Sequence, residues 1–205
     1  MNAMIPTTLI LTTLFLAASI PVFFAKLRVT PQWLSLQALA LGWLVLGQGT
    51  GLHGLVTGVE ILTLRGMLVP WMLRTHLAQR EDTSHIDLMP SNLFTWGIAI
   101  ALIVVAFRFG DGASSDKRAL TLGVVACVLT IAYLILATNK EPFAQLVAVL
   151  YMENAVLLFE TLLVHAWPLP IHLLLTAVYI GTAALGLWLQ QEPAGRQAPA
   201  QEDTQ

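Results

Sequence analysis

The stretch FAQLVAVLYMENAVLLFETLLVH, residues 143–165, decides how this chain is read. It is mostly apolar, yet besides the neutral Gln145, Tyr151, Asn154 and Thr161 it carries two carboxylates, Glu153 and Glu160, and a terminal His165. Coiled at 1.5 Å per residue, a run of this length reaches about 34 Å, enough to cross a hydrocarbon core of about 30 Å. Lipid offers no partner to a backbone N–H or C=O, so the segment must be helical. Composition extends that reading to the whole chain. Of its 205 residues, 57% are hydrophobic and 11% charged, against roughly 25% charged in a soluble domain.

Working outward, further apolar runs lie near 6–26, 32–51, 54–74, 92–109, 119–138 and 169–190. The fold class expected is all-α, a polytopic membrane protein with about seven transmembrane helices. Pro31, Pro90, Pro142, Pro168 and Pro170 mark breaks, because proline lacks the N–H that a helix interior uses. Gly110 and Gly112 around Asp111 mark a turn. Gly47, Gly49, Gly51 and Gly54 are candidates for close helix approach. Residues 1–90 form a three-span unit with an inner loop, and 91–190 a four-span unit. The polar tail 191–205 has nothing to bury and is expected to be disordered.

Several function classes fall away. A net charge of -2 without a basic stripe gives nucleic-acid binding no electrostatic footing. Cys127 is the sole cysteine, which excludes an internal disulfide and a cysteine-rich metal or iron–sulfur site. No phosphate-cradling glycine loop, nucleophile elbow or zinc motif occurs. Haem held by two deep histidines is poorly served: His53, His165 and His172 fall near one surface, and His76 and His85 in a loop on the other side. No cofactor and no metal is expected. The first Lys or Arg is Lys26, after the first run, so that run reads as a retained span and not as a secretory signal.

Lys26, Arg28, Arg74, Arg80, Lys140 and Arg196 collect on one side, and Arg108, Lys117 and Arg118 on the other. The positive-inside rule then sets the N-terminus outside and the C-terminus in the cytoplasm. Spans one to three also overlay on spans five to seven. Each triplet has a Lys and Pro linker (Lys26 with Pro31, Lys140 with Pro142), followed by a span with a mid-membrane polar residue, Gln37 or Glu153. Parallel three-helix repeats of this kind occur in transporter architectures.

An ionised side chain at mid-membrane costs about 2.5 to 3.5 kcal/mol even on the lenient insertion scale, so one that persists faces protein or water. Glu153 lies near the midplane. Glu160, seven residues on, returns to nearly the same face about 10 Å farther out. Two such acids can act as consecutive proton stations, or they can simply hydrogen-bond between helices. Glu60 and Arg65 sit in the third span, on different faces of a regular α-helix. Arg65 keeps its charge, which makes an interhelical acid such as Glu153 an attractive partner. His165 and His172 are placed to pass protons between surface water and buried acids.

LRGMLVPWMLR (64–74), LQALAL (36–41) and YMENAVLLFETLL (151–163), followed by a Pro-containing turn and a last span, together resemble component E of hydrogenase-4. This is a membrane subunit of group 4 nickel-iron hydrogenase and formate hydrogenlyase-like complexes. Its C-terminal half is similar to the three-helix K-type subunit of complex I. The resemblance implies a non-catalytic subunit in the inner membrane of a prokaryote. Its implied partners are antiporter-like membrane subunits and the membrane anchor of a redox module. It implies that Glu153 belongs to a proton-handling polar axis with Asn154 as polar neighbour and Gln37 alongside. Arg65 stands where relatives carry a lysine, and is read as an electrostatic modulator. The acid of the family's final span is missing, with Ala177 and Val178 in its place, so Glu160 is the candidate second station, and Glu60, His165 and His172 connect it outward. The rival readings are a purely structural scaffold and a free-standing small transporter.

Overall fold

The computed structural model describes residues 6–24, 26–48, 51–79, 87–89, 93–109, 116–163 and 167–190. The tail from 191, His85 and His165 lie outside the described residues. Among the described residues eight α-helices follow in order: α1 Thr7–Phe24, α2 Thr30–Gln48, α3 Gly51–Glu60, α4 Val69–Ala78, α5 Leu93–Phe109, α6 Lys117–Thr138, α7 Pro142–Glu160 and α8 Leu169–Leu189. A π-helical segment, Ile61–Leu68, joins α3 to α4 in one continuous rod. No strand forms among the described residues. The chain is all-α and polytopic: six helices are long and apolar enough to cross a membrane, and α5, with 17 residues, is a shorter apolar helix.

The ends of the elements follow local chemistry. Asp116 caps α6 by accepting from the Arg118 backbone N–H at 3.1 Å, satisfying one of the orphan donors of a helix start. Pro142 opens α7 and Pro170 sits in the first turn of α8, where no N–H is required. Two boundaries differ from the sequence expectation. The rod continues past 74 to Ala78, so His76 is helical and not in a loop. Its ring is buried and stacks on Phe143 at 6.4 Å and 5° between planes. α7 ends at Glu160, with the chain turning over Thr161–Leu163, so Glu160 caps a helix end instead of lying within a longer helix.

Each triplet packs in chain order, α1 on α2 on the rod and α6 on α7 on α8. The counterparts also meet across the centre: α1 on α6, α2 on α7, and the rod on α8. Two parallel copies of one three-helix unit around a shared axis would pack this way. α5 joins them from outside, with Trp96 against Phe23 and Phe24, Phe107 against Phe15, and the Cys127 thiol donating to the Ile103 carbonyl at 3.4 Å.

Close approach falls on Gly42 and Gly58, and not on Gly47. A Cβ on Gly58 would run into the Leu46 side chain, and one on Gly42 would lie 2.8 Å from Leu62. Around Gly47 there is open space, and Gly49 is outside the described residues. Gly42 and Gly58 thereby set the spacing of α2 against α3. At the opposite end of the bundle, Asp87–Met89 is tied between the two linkers: Lys26 bridges Asp87, and Asn139 Nδ2 donates to the Asp87 and Leu88 carbonyls at 3.2 and 2.9 Å.

Candidate functional site

The polar residues of the core lie where the rod, α2, α7 and α8 meet. Gln37 on α2 accepts through Oε1 from Asn154 Nδ2 at 3.1 Å. Asn154 in turn accepts through Oδ1 from Arg65 Nη1 at 3.4 Å, and Arg65 Nη2 donates to the Leu175 carbonyl of α8, also at 3.4 Å. The guanidinium carbon rides 4.2 Å above the centre of the Tyr179 ring, within the range of a cation–π contact. Arg65 is only 2% exposed, a full positive charge held inside the protein.

The π-helical segment explains how the rod presents its charges. In a regular α-helix, residues five apart diverge; the wider i→i+5 turn brings them toward one face. Glu60 and Arg65 bracket that turn, and the Glu60, Glu153 and Glu160 carboxyls all act electrostatically on the guanidinium. None of them closes to ion-pair distance of Arg65 among the described residues. The interhelical partner of Arg65 is therefore Asn154, one residue beyond Glu153, with the acid acting across space. Ser35 Oγ donates to the Gly66 carbonyl at 2.5 Å, giving the widened turn a partner from α2.

α8 supplies a ladder that charge-based sequence reading missed. Thr176 donates to Glu60 Oε1 at 2.6 Å, and Thr182 donates to Glu153 Oε1 at 3.0 Å. His172, Thr176, Tyr179 and Thr182 recur at spacings of four, three and three, one face of a helix. That periodicity is the signal by which they could have been found. At 1.5 Å per residue the ladder spans about 15 Å.

At the end beside the start of α8, Glu160 is 8% and His172 4% exposed. His172 Nδ1 lies 3.1 Å from Glu160 Oε2 without hydrogen-bond alignment. Glu160 Oε1 accepts from the Trp167 backbone N–H at 3.0 Å, and the His53 ring is 6.3 Å from that of His172. At the other end of the ladder Glu153 lines a cleft of about 450 Å³ between α6, α7 and α8, together with Arg65, Met152, Val156 and Leu175. Beyond Thr182 the polar residues of α8 stop: Ala183 and Leu187 are buried, and Gly186 packs so closely that a Cβ would lie 2.7 Å from Leu146.

Arg65 Nε, Glu153 Oε2 and the hydroxyl of Tyr151 are buried with no protein hydrogen-bond partner among the described residues. Buried polar atoms are satisfied as a rule, by protein or by ordered water. No group of three or more His, Cys, Asp or Glu side chains capable of holding a metal ion occurs among the described residues. The structure thus places Glu60, Arg65, Gln37, Asn154, Glu153, Glu160 and His172 along one seam.

No family model and no solved structure matches the chain. A Mycobacterium tuberculosis protein, named only as uncharacterized protein Rv0085, is 26% identical over 171 residues, covering 78% of this chain and 76% of its own length.

Proposed function

We propose that this chain is a non-catalytic membrane subunit of a hydrogenase-like or complex I-like redox complex. It joins antiporter-like subunits to the membrane anchor of the redox module and carries protons along its internal seam, from the Glu160–His172 end to Glu153 at mid-membrane. With the N-terminus outside, the Glu160–His172 end faces the outer surface of the inner membrane. The short segments that resemble hydrogenase-4 component E support the redox assembly.

The observation that carries the proton-handling role is the row of polar side chains on α8, with His172 beside Glu160, Thr176 bonded to Glu60, Tyr179 beneath Arg65 and Thr182 bonded to Glu153, next to buried polar atoms without protein partners among the described residues. Hydroxyls and water can hand on a proton between carboxyl groups, and Arg65 holds a fixed positive charge among them. His165, expected to extend the row outward, lies outside the described residues.

The test is Glu153→Gln in the assembled complex. Proton translocation is lost while the complex still assembles; unchanged translocation would establish the scaffold reading instead. One observation favours a structural role for Glu160: its carboxylate ties the α7 end to the α8 start through the Trp167 N–H and His172.

A further inference from the structure

A second recess lies at the end of the bundle remote from Glu160. It has a volume of about 810 Å³ and is lined by Lys26, Arg28 and Gln32 from the first linker and α2, by Arg74 and Thr75 from α4, and by apolar Phe24, Val29, Leu77 and Ala78. The three cations come from parts of the chain that meet only through folding. All three are exposed, and among the described residues none has a carboxylate within ion-pair distance. Asp87 meets Lys26 through its backbone, which leaves two arginines and a lysine around one opening.

Apolar side chains flank the cations on both sides: Phe24 ends α1, while Leu77 and Ala78 follow Arg74 at the end of α4. Phe24 is 77% exposed at the last residue of α1, and Trp71, 63% exposed, lies one helical turn before Arg74 and Thr75 on α4. Aromatic rings at such a level anchor a protein at the headgroup boundary. A recess that sets cations beside exposed apolar side chains suits a phospholipid: phosphate at the guanidinium groups, acyl chains against Phe24 and Val29. Arginine matches phosphate with paired N–H donors, which lysine does not.

We propose that this recess binds one anionic phospholipid of the adjacent leaflet through its phosphodiester headgroup, with Arg28 and Arg74 as principal contacts and Lys26 adding charge. The site is independent of the proton seam and of the identity of the partner subunits. Basic pockets between membrane helices bind acidic headgroups in this way, at about 1 kcal/mol per cation, or about fivefold in affinity.

The full-length protein is purified in neutral detergent and titrated with phosphatidylglycerol or phosphatidylcholine, and bound lipid is counted by native mass spectrometry. Phosphatidylglycerol binds preferentially, and Arg28→Gln combined with Arg74→Gln lowers its affinity about 25-fold, while Arg118→Gln at the opposite membrane face changes nothing. Both arginines are exposed, so the lipid-free melting temperature of the variant matches the parent. Equal binding of phosphatidylcholine, or full retention of phosphatidylglycerol by the double variant, overturns the assignment. So does displacement of the lipid by inorganic phosphate at matched ionic strength, which would indicate a soluble phosphate site. If the double variant keeps its lipid but sheds a co-purifying partner, the recess is a protein contact and the lipid assignment fails.

Discussion

Gln37 and Asn154 stand 117 residues apart in the chain and hydrogen-bond at 3.1 Å, joining α2 to α7 at the contact between the two halves of the bundle. Both residues are buried, and Asn154 also holds Arg65. The pair therefore fixes the position of a cation as well as the register of two helices.

Asn154→Leu should destabilise the fold by about 1 to 3 kcal/mol, because it leaves both Gln37 and an arginine N–H without a partner. Gln37→Leu alone costs less, since Asn154 retains Arg65. A double-mutant cycle, read by unfolding in mixed micelles, should give a coupling of about 0.6 to 1.7 kcal/mol, the range of interhelical hydrogen bonds in membranes. Strict additivity would show that the two side chains do not cooperate.

The stacking of Arg65 on Tyr179 separates ring from hydroxyl. Tyr179→Phe keeps the ring face and should change stability by less than about 0.5 kcal/mol, whereas Tyr179→Leu should lose about 2 kcal/mol, the size of a desolvated cation–π contact. Equal effects in the same unfolding assay would place the stabilisation in the hydroxyl.

Thr182→Val removes the donor to Glu153 Oε1 with almost no change in shape. A hydrogen bond contributes about 0.5 to 1.5 kcal/mol net, so proton flux through the assembled complex should fall by up to about tenfold. Subunit content on native gels should be unchanged. Full flux would remove Thr182 from the path.

Glycine substitutions test the packing. Gly58→Ala should cost about 1 to 3 kcal/mol through collision with Leu46. Gly47→Ala has open space around it and should stabilise α2 by about 0.5 to 1 kcal/mol. Thermal melts in detergent distinguish the two.

The spans were legible because twenty-residue apolar runs have few other uses, and the charges within them were legible because each is costly there. What escaped had a weaker sequence signature. Arg74 and His76 resembled the start of a loop, yet His76 is held by Phe143 and extends the rod to Ala78. Thr176 and Thr182 are neutral hydroxyls that can bond their own helix, so lipid exacts little for them and only their spacing gives them away. The Glu60–Arg65 relation depends on a π-helical turn, which propensity does not encode, and an α-helical wheel separates the two residues. The glycines show the same limit: small size is visible in sequence, but the leucine each one faces is not.

The close seating of Gly186 against Leu146, with Ala183 and Leu187 buried on the same helix, ends the row of polar side chains on α8 at Thr182. Under the proposed function, a proton that reached Glu153 would leave sideways through the cleft between α6, α7 and α8, so the next station would stand on a neighbouring subunit.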